Sequence, residues 1–223
     1  MTDSEPKAAA KTRRTTRLPP EERKQMLVQK AADFFSKEGF DAGTRVLAEQ
    51  MGITQPLIYR YFDSKDDLIN EVYRHVYVSQ WQDSWAETLT DRTRPLRGRL
   101  LDFYAAYCPV VFNERWMRIF FFAGLKGLDI NSRYIQRVAD LLLTPICHEM
   151  RAELGYKTDV PITEDELELV WLMHGTVFYQ GVREKIYRSV EAVNYDFAVR
   201  TAVDMYLRVA PEVLARAVRK RPD

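Results

Sequence analysis

Residues 44–68 read TRVLAEQMGITQPLIYRYFDSKDDL, and their spacing predicts two short helices joined by a tight glycine turn. In the first, Val46, Leu47 and Met51 recur at helical intervals, and Ala48 is small enough to let a second helix cross close by. Gly52 supplies the left-handed residue that ends it. Ile53 returns to the core. The Thr54 hydroxyl is placed to cap a second helix that starts at about Gln55 and tolerates Pro56 in its first turn. On that helix Ile58 and Phe62 lie one turn apart as inward anchors, leaving Gln55, Pro56, Tyr59 and Arg60 on the remaining surface.

This outward set suits the major groove of DNA. Gln can read adenine, Arg can read guanine, Pro offers apolar contact to a thymine methyl, and a Tyr hydroxyl reaches phosphate oxygens. Asp63-Ser64 then caps a third element, with Lys65 at its start placed to meet the backbone. A bare pair of short amphipathic helices is only a moderate signal, but the pattern is longer than the turn. It includes a preceding helix (Arg23, Met26, Leu27, Ala31, Ala32, Phe34, Phe35) and the Glu38-Gly39-Phe40 corner. After these come Leu47-Ala48, Gly52-Ile53-Thr54, Ile58-Tyr59, Tyr61-Phe62, Ser64-Lys65 and Leu68. From about Glu21 to Tyr73 the chain resembles the DNA-binding domain of the TetR family of transcriptional regulators. Two positions depart from that pattern. Gly43 stands where the family often has a hydroxyl residue, which shifts the expected phosphate contact to Thr44 and Arg45. Tyr61 stands where His is common, and a phenol can make the same bond. The DNA-contacting set implied is therefore Thr44, Arg45, Thr54, Gln55, Pro56, Tyr59, Arg60, Tyr61 and Lys65.

With 223 residues the chain can bury a substantial core, and what lies beyond the reading helices is too long to be a tail. We expect a disordered basic arm over 1–18, a helix-turn-helix domain over 19–66 and a larger helical ligand-binding and dimerisation domain over 67–223. The 33 basic against 32 acidic residues leave a formal net charge of +1, which argues against indiscriminate coating of nucleic acid. Basic character is local: Lys7, Lys11, Arg13, Arg14 and Arg17 occur with no intervening acid, suited to a minor groove, to phosphates, or to solvent. No leader pattern and no uncharged run near the ~20 residues that span a bilayer occur, so a cytoplasmic protein is expected, with no membrane partner. Cys108 and Cys147 sit in apolar helical surroundings and read as buried free thiols.

A long helix carrying Leu68, Val72, Tyr73, Val76, Tyr77, Trp81 and Trp85 is expected to lead away from the reader domain. Further helices are expected at about 95–113, 115–126, 131–154, 163–189 and 194–218, broken at Gly127 to Asp129 and at Gly155 to Pro161. Pro109, Pro145 and Pro211 fall inside apolar patterns and should kink them. No period-two pattern appears, so the chain is all-α. Thr163 to Glu166 spells a capping box.

Aromatic residues crowd these helices, and each singly reads as core more readily than as a binding box. Relatives in the resembled family bind small molecules in this lobe. That implies a ligand set of Trp81, Trp85, Phe103, Tyr107, Trp116, Phe120, Phe121, His148, Trp171, His174 and Phe178. Arg118 and Gln180 are further polar candidates. His75, on the lever helix, reads as a surface or inter-lobe contact. No His or Cys spacing suits a metal, and no cofactor is implied. A reader of palindromes needs two copies about 34 Å apart, which makes dimerisation a geometric demand. The resemblance places that interface on the last two helices, here Trp171, Phe178, Val182, Val199, Val203 and Tyr206.

The reading that follows is a homodimeric repressor that binds a palindromic operator through the 55–61 helix and is released by a small, largely apolar or aromatic ligand. The alternative is an architectural or adaptor DNA-binding protein without an effector. An enzyme is disfavoured: Cys147 and His148 are adjacent on a helix and so point about 100° apart, and no phosphate loop or nucleophile motif is present.

Overall fold

In the computed structural model, which describes residues 19–219, every regular element is helical. The basic arm over 1–18 lies outside the described residues. Helix α1 (Pro20–Glu38) starts on a proline, whose missing N–H costs nothing there, and carries Glu21 and Glu22 in the first turn, where the helix dipole favours them. Its stripe of Leu27, Ala31, Phe34 and Phe35 packs beneath α2 (Thr44–Gln50) and α3 (Gln55–Tyr61), which cross through the buried Leu47, Ala48 and Ile58. Gly52, at φ +67°, makes the turn between them; a Cβ there would meet no atom within 4 Å, so conformation alone calls for glycine.

Thr54 does not cap α3 through its side chain. The second helical position is Pro56, which has no N–H to donate, and the Leu57 N–H is already taken by the Thr54 carbonyl at 3.0 Å. Ser64 does cap α4 (Lys65–Tyr73), its hydroxyl accepting from the Asp67 N–H.

The expected lever helix is shorter than its periodicity suggested. Helix α4 continues as one π-helical turn (Arg74–Val78) and stops where Ser79 closes on the Arg74 carbonyl and its hydroxyl takes that of His75. Trp85 sits on a separate helix, α5 (Ser84–Thr90), and meets Trp81 edge-on at 5.3 Å. Then come α6 (Leu96–Val111) and α7 (Glu114–Lys126), the latter capped by Asn113 and ended by Gly127 at φ +71°. The helix expected at 131–154 is α8 (Ile130–Val138), a π-helical turn (Ala139–Leu143) and α9 (Thr144–Glu153). That turn lies just before Pro145, where a widened ring of backbone makes room for a residue that cannot donate to it. Helix α10 (Glu164–Gly181) begins with the capping box of Thr163 and Glu166 and runs into a third π-helical turn (Val182–Ile186). Helix α11 (Tyr195–Arg219) closes the described chain.

One apolar core runs from Leu27 of α1 to Leu214 of α11. The expected boundary at 66/67 falls within α4, whose buried Leu68 and Val72 belong to that core. Two ion pairs are buried in it. Glu149 accepts from Arg99 at 2.7 Å and Arg92 at 2.9 Å, and Arg151 holds Glu166 at 2.6 Å. Cys108 and Cys147 are buried and free, and burial pushes both thiols up to about 12. No described helix is long and apolar enough to cross a membrane, and no described group of three or more His, Cys, Asp or Glu could hold a metal ion.

Candidate functional site

Arg45, Thr54, Pro56, Tyr59 and Arg60 are exposed on the α2–α3 unit, while Gln55, Tyr61 and Lys65 are half-buried. Thr44 is buried and does something the sequence did not foretell. Its Oγ1 accepts from Gln55 Nε2 at 2.8 Å and lies 3.0 Å from the Tyr59 hydroxyl, so it holds two of the side chains expected to contact DNA. Lys65 Nζ donates to the carbonyls of Phe40 and of Ala42, the latter at 2.8 Å, and so closes the corner between α1 and α2.

In the second lobe, six of the expected ligand residues meet around one cavity of about 150 Å3: Tyr107, Trp116, Phe120, Trp171, His174 and Phe178. Tyr134, Ile135, Val138 and Gly175 complete it. Tyr134 was legible, standing one turn from both Ile130 and Val138 on the buried stripe of α8. The other five do not line it. Trp85 and Phe103 form the packing behind Tyr107, at 5.1 and 5.2 Å. Trp81 lies under the Arg137 guanidinium, Phe121 stacks on the side of Phe178, and His148 is half-buried on α9 away from the cavity.

His174 is buried, with Nδ1 3.3 Å from the Tyr104 hydroxyl; burial pushes its pKa down to about 4, which leaves the ring neutral at pH 7. The Tyr107 and Tyr134 hydroxyls pair at 3.2 Å. A second, larger hollow of about 530 Å3 lies between α6 and α11, with none of the expected ligand residues on it. The charges on its rim are paired, Asp102 with Arg94, Asp196 with Arg200 and Lys185 with Glu184.

The expected dimer residues face inward. Val182, Val199, Val203 and Tyr206 are buried within the chain, and Trp171 and Phe178 line the cavity. Helices α10 and α11 are apolar on more than one side, and the denser stripe packs into their own lobe. Their exposed apolar residues are Leu172 and Tyr179 on α10 and Phe197, Met205 and Val209 on α11.

Residues 27–72 match the family model described as bacterial regulatory proteins, tetR family. This stretch of the chain is similar to that family's DNA-binding segment. The match runs from α1 into α4, past the expected boundary. The HTH-type transcriptional regulator HbdR of Aromatoleum sp. (strain CIB) is 27% identical over 116 residues, 52% of this chain and 50% of that protein. The HTH-type transcriptional activator FasR of Mycolicibacterium smegmatis is 34% identical over 104 residues, 45% of this chain and 47% of that one. The chain thus spans about half the length of the curated relatives it matches. A TetR-like transcriptional regulator from Rhodococcus sp. RHA1 shares the fold with a TM-score of 0.59 at 20% identity, over 89% of this chain and 99% of that chain.

The tetR-like segment and the second lobe meet through α4 and α7. His75 pairs with Gln29 and Glu71 with Lys24, each at 2.8 Å. Arg118, a polar candidate for the ligand, instead donates to the carbonyls of Ser36 and Lys37 in the last turn of α1. Arg115 pairs with Asp33 at 3.0 Å, and the Phe122 ring packs so closely on Gly39 that a Cβ there would sit 3.2 Å from it. The other face of α7 carries Trp116 and Phe120 into the cavity.

Proposed function

We propose that this chain is a homodimeric repressor that reads a palindromic operator with α3 and is released by a small apolar ligand held in the aromatic cavity. The observation that carries the reading is the position of α7. One of its faces lines the cavity and the other holds the end of α1. A ligand that displaces Trp116 and Phe120 moves the helix whose Arg115, Arg118 and Phe122 grip the reader domain. In a dimer this changes the spacing of two α3 helices, which must stand about 34 Å apart to enter successive major grooves. Operator affinity then falls by the same factor by which operator weakens ligand binding. The exposed Leu172, Tyr179, Phe197, Met205 and Val209 supply the two-fold interface, in place of the inward residues expected from the resemblance.

Within α3, Gln55, Tyr59 and Arg60 read bases and phosphates, with Arg45 and Tyr61 on the backbone. The ring-lined cavity favours this reading over an architectural or adaptor role, which needs none. Selection from a random duplex library at fixed salt tests it. An enriched palindrome with half-sites one turn apart, weakened by ligand, supports the regulator; binding without enrichment that salt abolishes supports the architectural role.

A further inference from the structure

This inference rests on the ligand-release reading and names the class of molecule. The cavity between α7, α8 and α10 measures about 150 Å3. An apolar cavity of about that volume holds a molecule the size of one benzene ring. Its walls are the rings of Trp116, Phe120, Trp171 and Phe178, and no charged side chain lines it. An ion entering would therefore surrender its hydration with no counter-charge to replace it.

Few polar atoms face it. The Tyr107 and Tyr134 hydroxyls share one hydrogen bond, one donating and the other accepting. A buried phenol must place its proton on an acceptor, and His174 Nδ1 is the acceptor beside the Tyr104 hydroxyl. Tyr104 therefore donates, which puts the imidazole proton on Nε2. That nitrogen has no hydrogen-bond partner among the described residues.

We propose that the cavity takes an uncharged molecule built on a single aromatic ring and carrying one oxygen that accepts from His174 Nε2–H. The mouth lies between α8 and α10, where Ile135 (44% exposed) and Gly175 bring the lining to the surface. Thioesters of nucleotide carriers, long acyl chains and aromatic carboxylates are excluded by size or by charge.

Isothermal titration of the full chain with acetophenone, ethylbenzene and benzoate tests this. The first two differ only in a carbonyl against a methylene, and the third adds a charge. Acetophenone is expected to bind about three- to tenfold more tightly than ethylbenzene, the range of one net hydrogen bond, and benzoate not measurably. His174→Phe should make the two neutral compounds equal. Ile135→Trp, at an exposed position, should obstruct the mouth and weaken acetophenone by about tenfold or more without lowering the melting temperature. Benzoate binding as well as acetophenone, a carbonyl preference that survives His174→Phe, or no binding by either neutral ring would each overturn the proposal. The selected operator, titrated alongside, separates the two readings. Acetophenone that binds yet leaves operator affinity unchanged sinks ligand release and leaves the ligand class standing.

Discussion

Thr44 governs Gln55 and Tyr59 through one hydroxyl, 2.8 and 3.0 Å from their polar atoms. With one Nε2 hydrogen engaged, the Gln55 carboxamide keeps its oxygen and a second N–H, which in the proposed reading match the amino group and N7 of adenine. Thr44→Val keeps the shape and frees both side chains. Discrimination at the base facing Gln55 should fall by about three- to tenfold while the salt dependence of binding stays the same. A repeat of the duplex selection on the variant reads this directly, and an unchanged motif would show that the hydroxyl orients neither side chain. At the cavity, His174 makes stability depend on pH. Its pKa falls from 6.5 in the unfolded chain to about 4 in the fold because burial penalises the charged ring. Between those values the unfolded chain takes up a proton that the folded chain refuses. Stability is therefore full above pH ~6.5 and declines by about 3 kcal/mol as pH falls to ~4. Denaturant titrations at pH 7 and pH 5 should show the loss in the native sequence and a flatter response in His174→Gln. Burial alone would raise the carboxyls of Glu149 and Glu166. The guanidiniums of Arg92 and Arg99 for the first, and of Arg151 for the second, bring them below the ordinary carboxylate range. Their contribution is lost in a separate, more acidic window, as pH falls through those lowered values.

Between elements, tight approaches at glycines occur where α7 meets the end of α1 and where α10 meets the end of α6. A Cβ at Gly181 would lie 2.7 Å from the Phe112 ring, so Gly181→Ala forces that ring off its rotamer. A loss of about 1–3 kcal/mol in thermal melts is expected, against a gain had the site been open. Arg118→Met keeps the length of the side chain and leaves the Ser36 and Lys37 carbonyls without their donor. It should weaken the effect of ligand on operator affinity more than it weakens operator affinity itself. Equal coupling in variant and native chains, measured by DNA titration with and without ligand, would remove α7 from the relay. Periodicity made α7, α10 and α11 legible because each has local start and stop signals: Asn113 and Gly127, the Thr163 box, and the Asn194 side chain that accepts from the Phe197 N–H. It failed on the lever helix, where a π-helical turn keeps apolar spacing while the chain prepares to reverse at Ser79. It failed again on the face of α11, since a helix apolar on two sides does not declare which side packs at home. The cavity was half legible. Ring density located α6, α7 and α10 around it, whereas Trp85, Phe103 and His148 could be assigned only once neighbours were known.

For the whole molecule, the unresolved burden falls on the exposed apolar rows of α10 and α11. Met205 is 61% exposed, so Met205→Glu costs the folded chain little and places a charge in the proposed two-fold interface. The variant should run as a monomer in light-scattering chromatography and lose affinity for the palindrome by about 100-fold, the avidity of two linked readers, while keeping weak binding to a half-site. A variant that remains dimeric would place the interface elsewhere. The grip of α7 on α1 also bears on hybrid sensors, in which one regulator's reader is spliced to another's effector lobe. A splice at 66/67 cuts within α4 and leaves behind Arg115, Arg118 and Phe122, the groups that finish α1. The transplantable module is thus not contiguous in the chain. In the proposed reading, a graft is expected to need the recipient's equivalent of α7 recoded at these three positions, which would lock the reader domain to its own sensor.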